Sequence, residues 1–365
     1  DTFVYLESSN DDATITASTF TVTNSRTNWG IYIRGQATVT GSTFSNSTSS
    51  GTGIRTEGGT ISGNAVTGGN TGISSPAGFG TISDNDVSAQ SFRGIDAVNG
   101  ASHISGNRVS NVTSPNSSGI VGGSLVEHNE VWNITGTGIS GDTVTTNVVY
   151  LSGTGIASSG TIESNRVFAN TTGIETTYDG QIRGNTIYSN SVGIDTTARF
   201  EGTIANNLVY ANTNTGILDV GSNWSDKDSH IVNNTIYQPV GDAIALSGRH
   251  AKIVENNIIQ VDAGYAINVD SSALSAVQAN NNLFALSTDP NARIGLWGST
   301  QAATLVDWQT TSGQDAASIA GDPLLRDIDG TDDVLGYTTA GDGYDGGRDD
   351  NFGLLGGSPA IDRAN

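Results

Sequence analysis

The chain has 365 residues, with 48 glycines, 6 prolines, and neither cysteine nor methionine. Asp and Glu outnumber Lys and Arg by 36 to 15, and the resulting charge of −21 leaves no basic face for nucleic acid. Without thiols there is no disulfide framework and no Cys-ligated metal, and no apolar run is long enough to span a membrane.

The acidic balance, rich in Ser, Thr, Asn and Gly, points to an extracellular or cell-surface protein. The missing methionine points to a processed chain or a part of a longer one. From the N-terminus onward one phrase recurs: a β-branched residue, two variable residues, Asn, one variable residue, a second β-branched residue. Its first copies, Ile15–Ser18–Phe20 and Val39–Ser42–Phe44, carry serine in place of asparagine. Asparagine then stands at 64, 85, 107, 129, 147, 165, 185, 207, 234 and 256, with a weaker copy around Asn281. Successive key positions lie 18 to 27 residues apart. A Gly-Ile or Ala-Ile phrase interleaves once per period, from Ile31 to Ile267.

No period holds a helical i, i+3, i+4 stripe. Such short strands cannot bury a face alone, but stacked in register each period becomes one coil of a parallel β-helix. With neighbouring strands about 4.8 Å apart, roughly twelve coils would make a rod near 60 Å long, taken as a monomer or as part of a longer chain. Ile and Val then point inward and the residues between them outward. The repeated Asn is expected at a bend, where it tolerates left-handed geometry and its amide bonds the amide of the next coil. The Gly before Ile is expected to serve a second bend of unusual φ.

Three consecutive copies carry the most specific signal: SNRVFANTTGI (164–174), GNTIYSNSVGI (184–194) and NNLVYANTNTGI (206–217). Over about residues 15–285 the chain resembles the right-handed parallel β-helix repeat proteins, secreted bacterial proteins of pectate-lyase-like architecture. The resemblance implies an all-β solenoid over residues 1–285 and, through it, the right-handed turn. Residues 297–315 are predicted to hold one short helix. DPLL (322–325) with SPAID (358–362) resembles the closing segment of such proteins, so residues 286–365 are expected to form an irregular cap. Residues 1–14 are a candidate cap for the other end.

Stacking turns repeats into columns, and three columns or clusters carry candidate chemistry. After Gly-Ile, Glu175 and Asp195 fall on adjacent coils, close enough that one pKa is expected to rise unless a cation sits between them, as an acid–base pair for glycoside hydrolysis or as a calcium site. After the second β-branched position stand Trp132, Tyr150, Phe168, Tyr188, Tyr210 and Tyr237. These rings are expected to form an exposed aromatic ridge, either a carbohydrate platform or a stacking ladder. The longest inter-motif loop, GILDVGSNWSDKDSHI (216–231), supplies Asp219, Trp224, Asp226, Lys227, Asp228 and His230. The next coil adds Arg249, His250 and Lys252, with His230 and Lys252 expected in one column. As a catalytic set, His230, Lys252, Arg249 and Asp228 would provide a base and cations for lysis or hydrolysis of an acidic polysaccharide.

In the tail, Asp327, Asp329, Asp332 and Asp333 alternate with glycine as calcium loops do, although the EF-hand spacing is absent. The signature phrases of pectate lyases, polygalacturonases and alginate epimerases are absent from the late loop. The leading expectation is therefore a structural scaffold that contacts carbohydrate; the alternative is a polysaccharide lyase or glycoside hydrolase.

Overall fold

The structure, a computed structural model, describes residues 2–7, 13–23, 29–76, 79–98, 102–197, 199–221 and 227–361. Trp224 and Asp226 of the late loop lie outside these residues. The fold is a right-handed parallel β-helix of about twelve coils. Two compact units divide it, Asp1–Thr161 and Ile162–Asn365.

In the first unit a representative coil runs through Thr71–Ser74, Gly80–Ser83 and Asp86–Ser88 before the next coil opens at Arg93–Ala97. Each strand pairs in parallel with its equivalent one coil on: Ile73 with Ile95, Ile82 with Ile104, Val87 with Val109. These six side chains are at most 2% exposed. Burying each contributes about 1.5–3 kcal/mol, and only stacking removes both edges of the coil from water. Gly72 does not serve a left-handed bend as expected. It lies within its strand, where a Cβ would meet Val87 Cγ1 at 2.5 Å and the Gly94 carbonyl oxygen at 2.7 Å. The constraint is space between coils rather than φ.

The asparagine ladder forms as expected, with one correction. Asn64 Nδ2 donates to Asn85 Oδ1 (2.9 Å), Asn85 to Asn107 (2.9 Å) and Asn107 to Asn129 (2.9 Å). Serines precede it, the Ser18 N–H donating to Ser42 Oγ at 3.1 Å and the Ser42 N–H to Asn64 Oδ1 at 3.0 Å. The left-handed residue of each bend is the one before the ladder Asn, such as Asp84 (φ 56°), His128 (55°) and Ser164 (57°). The Asn itself supplies the amide.

In the second unit a coil runs through Val192–Thr196, Thr203–Ala205 and Leu208–Tyr210. The ladder continues from Asn165 to Asn185, Asn207 and Asn234, and then to Asn257 and Asn282 rather than to Asn256 and Asn281. Asn256 and Asn281 take the left-handed position instead, at φ 59° and 57°. The second Asn of the NTIYSN phrase builds another ladder: Asn170 to Asn190 (3.0 Å) and Asn190 to Asn212 (3.1 Å), with Gln238 Oε1 accepting from the Asn212 N–H.

Parallel pairing runs past residue 285, through Ala292–Trp297 and Ile319–Ala320. The predicted helix is Leu305–Ser312, with Thr304 and Asp307 forming a capping box and Gly313 closing it at φ 70°. The fully buried Trp308 plugs this end, and its indole N–H donates to Asp315 Oδ2 at 2.8 Å. Asp315 Oδ1 takes the last ladder amide, Asn282 Nδ2, at 2.9 Å. Burial pushes the Asp315 carboxyl up, while the hydrogen bonds from Ser318, Asn282 and Trp308 pull it down. A strap follows, with Leu325–Asp327 antiparallel to Asn351–Leu354 and Tyr337–Thr338 antiparallel to Tyr344–Asp345.

Candidate functional site

Beyond the Asn bend, alternation sends Val131, Val149, Val167, Ile187, Val209 and Ile236 inward and the aromatic after each outward. The rings stack where expected: Trp132 on Tyr150 at 5.9 Å and 6°, Phe168 on Tyr188 at 4.9 Å and 4°, Tyr188 on Tyr210 at 5.0 Å and 18°. Tyr188 therefore turns its faces to Phe168 before it and Tyr210 after it. In the second unit the ridge is not exposed: Phe168 is 2%, Tyr188 and Tyr210 0%, and Tyr237 6% accessible.

The strap covers them. Tyr337 packs on Phe168 at 5.5 Å, and Phe352 packs on Tyr210 at 4.6 Å. Gly347 lies so close that a Cβ there would stand 2.6 Å from the Tyr188 ring. Repeats report what neighbouring coils share; they cannot report what a segment well over a hundred residues away lays over them. Trp132 and Tyr150, in the first unit, stay half-buried.

Polar contacts also hold the strap. Arg166 ion-pairs with Asp345 and donates to Tyr188 Oη at 2.8 Å; Tyr188 Oη in turn donates to Asp345 Oδ1 at 2.6 Å. The Arg166 guanidinium lies 4.9 Å from the centre of the Phe168 ring. The Tyr337 N–H donates to Ser189 Oγ at 2.9 Å. Burial pushes the Tyr188 phenol well above its ordinary range, with Arg166 working against the shift.

The predicted catalytic set does not converge. Ile231 pairs with Val254 and Ser229 with Lys252, one residue off the register that would align His230 with Lys252. A one-residue slip moves every side chain to the opposite face. Lys252 is accordingly inside and fully buried, whereas His230 and Asp228 are half-buried and Arg249 is exposed. Lys227 lies outside, 3.0 Å from Asp179 and 3.6 Å from Glu201.

What forms instead is an internal cluster. Asp219 accepts from Thr196 Oγ1 at 2.8 Å and Ser229 Oγ at 2.6 Å, and lies 3.7 Å from His250 Nε2. Lys252 Nζ stands 3.1 Å from His250 Nδ1 and donates to the His250 carbonyl at 3.2 Å. Burial pushes the Lys252 ammonium below its usual range, opposed by Asp219. His250 is lowered as well, by burial first, with Asp219 opposing and Lys252 adding to the shift. Asp219 is two residues after Ile217, so alternation alone marks it as inward-pointing. Lys252 could have been placed from Val254–Asn257–Ile259, a second match to the repeat phrase that overlaps the Ile253–Asn256–Ile258 match.

Glu175 and Asp195 pair across adjacent coils, and Asp195 is pushed up by burial and by Glu175, as the spacing predicted. The tail aspartates serve turns and partners: Asp332 accepts from Tyr344 Oη at 2.7 Å and from the Val334 N–H at 2.9 Å, while Asp333 is exposed at φ 56°. Asp327 pairs with Asn351 in the strap, and the Asp329 carbonyl accepts from Val334. Among the described residues no three His or carboxylate side chains gather as a metal site, and no helix is long and apolar enough to cross a membrane.

The coils, their ladders and the plugged end define a right-handed parallel β-helix protein. Residues 116–303, just over half the chain, match the family model described as "Periplasmic copper-binding protein (NosD)", and the chain belongs to that NosD family. Among solved structures it is similar to the A-module of the mannuronan C-5 epimerase AlgE4 of Azotobacter vinelandii (14% identity, 86% of this chain, 91% of that one, TM-score 0.40). The AlgE6 A-module of the same organism gives 13%, 86%, 91% and 0.42. The Dettilon tailspike protein gp208 gives 15% identity and a TM-score of 0.39, over 80% of this chain and 63% of that one, less than two thirds of its length. No curated protein sequence matches the chain.

Proposed function

We propose that the chain is a non-catalytic β-helix scaffold that works outside the cytoplasm and contacts carbohydrate through Trp132. The observation that carries this reading is an indole face left without a ring beside it. Trp132 stacks on Tyr150 in the following coil, but its partner in the preceding coil is Ser110. Arg108 lies 5.2 Å from the indole and 3.3 Å from Glu130, which accepts from Tyr150 Oη at 3.2 Å. An indole with a guanidinium lying over it, itself held by a carboxylate, offers a sugar ring an aromatic surface and polar partners for its hydroxyls.

Trp132→Ala is expected to weaken retention on a polysaccharide affinity gel roughly ten-fold, about 1.4 kcal/mol, with the unfolding midpoint nearly unchanged. Undiminished retention would sink the reading. The Tyr188→Ala plus Tyr210→Ala pair is not an equivalent test, because both rings are buried and their loss would loosen the strap.

A lyase or hydrolase reading is less well supported, since the residues proposed for it face different ways. The family description also names periplasm and copper. The periplasm is a compartment of the kind proposed here. The chain has no thiol or thioether, the soft ligands that select copper(I). His103 and His128 flank Glu127 at 2.8 and 3.7 Å, His230 stands apart, and His250 is enclosed beside Lys252.

A further inference from the structure

We propose that the strap of residues 325–354 is a releasable cover over a second binding surface, one that takes a carboxylate-bearing saccharide, with Asp345 occupying the seat of the ligand's carboxylate. The inference rests on the carbohydrate reading above and names the ligand class for the second unit.

The seat belongs to the coils. Arg166 is held over Phe168, and Tyr188 is clamped between Phe168 and Tyr210, so guanidinium and phenol keep their places whether or not the strap is down. Together they present one guanidinium N–H and a hydroxyl to the two oxygens of one carboxylate, a charge-assisted pair of donors. The Asp345 side chain fills that seat at 13% exposure. A further arginine, Arg348, reaches Asp345 at 3.2 Å, but it rides on the strap and is exposed, so it would leave with it.

The strap also carries the charge of the ligand it would imitate. Residues 327–350 include eight aspartates and one arginine. Its regular structure is two short antiparallel pairings, and its ring contacts with the column are those of Tyr337 and Phe352, beside Gly347 packed on Tyr188. A uronic-acid ring would bring a carboxylate to Arg166 and Tyr188 and C–H edges to the rings that the strap now covers. Ligand and strap compete for one seat, so binding of one must release the other in proportion to their difference in affinity.

The test is hydrogen exchange on the full chain, with a uronic-acid oligosaccharide and with a neutral oligosaccharide of equal length. Amides of residues 336–350 are expected to exchange roughly ten-fold faster with the acidic oligosaccharide and at an unchanged rate with the neutral one. Arg166→Gln should abolish that response, and Asp345→Asn should raise affinity for the acidic oligosaccharide roughly ten-fold. Continued protection of the ladder amides Asn165, Asn185 and Asn207 shows that each variant is folded. Release by the neutral sugar, a response that survives Arg166→Gln, or a strap that stays protected while the acidic sugar is bound would each overturn the inference. If Trp132→Ala still lowers retention while the strap never responds, the carbohydrate reading stands and this one falls; if no saccharide binds, both fall.

Discussion

Asn207→Leu is expected to destabilise the protein by about 3–5 kcal/mol, although leucine fits the volume and suits a buried site. Asn207 Oδ1 accepts from the Asn185 backbone N–H at 2.9 Å and from Asn185 Nδ2 at 3.0 Å. Its Nδ2 donates to the Ile182 carbonyl at 3.0 Å and to Asn234 Oδ1 at 3.0 Å. Leucine leaves the buried Asn185 N–H and the Ile182 carbonyl without these partners, and each such group costs about 1–3 kcal/mol. Asn214→Ala is the control: that side chain is exposed, and its loss is expected to stay within about 0.5 kcal/mol. The midpoints of urea unfolding decide. Equal shifts for the two variants would mean that the ladder is ornamental.

Asp219→Ala is expected to be comparably severe, about 3–5 kcal/mol, because it strands the Lys252 charge inside the coil. The carboxylate is fully buried with two hydroxyls donating to it. Adding Lys252→Met to Asp219→Ala is expected to recover most of the loss, since an apolar pair of similar volume needs no compensation. If the double variant is no better than the single one, Asp219 acts through its hydroxyl partners and not through the ammonium.

The pH dependence gives a second readout. Burial lowers both Lys252 and His250, so the folded protein holds these protons less tightly than the unfolded chain does. Between the folded value and the ordinary one, near 10.4 for lysine and 6.5 for histidine, the unfolded chain binds more protons. In those windows stability rises with pH and falls on acidification. Asp219 opposes both shifts, so its removal lowers both groups further. The deficit of Asp219→Ala is therefore expected to shrink as pH rises from neutrality toward the lysine range. A deficit independent of pH would separate the cluster's stability from its charge.

The coil was legible in the sequence because its causes are local and repeated. The inward Ile and Val, the Asn at each bend and the Gly-Ile strand recur within each period, and the structure places them as the alternation requires. Ambiguity entered where two phrases overlap. In AKIVENNII both Asn256 and Asn257 satisfy the repeat, and the pairing of Ile231 with Val254 selects the second. That single step carries Lys252 from the outer surface to the interior and dissolves the predicted catalytic set. The aromatic column was legible as a column but not as a covered one, because Phe168 and Tyr188 meet Tyr337 and Asp345 from far along the chain. Glu175 and Asp195 were legible as neighbours, since strand spacing alone sets them on adjacent coils.

The ladder of the second unit has a direction. Each carboxamide passes a proton donor to the coil that follows, and the next carboxamide does the same, until Asn282 gives its N–H to Asp315. A carboxylate accepts and hands nothing on, so Asp315 acts as a full stop, with Trp308 closing the page behind it. Nothing in the ladder counts its own members, because every rung offers the next the same donor and the same acceptor. A duplicated coil would read through without an unmet bond, and a deleted one would close up in the same way. Within the ladder itself, the number of coils is therefore written only in where the chain places its terminal carboxylate.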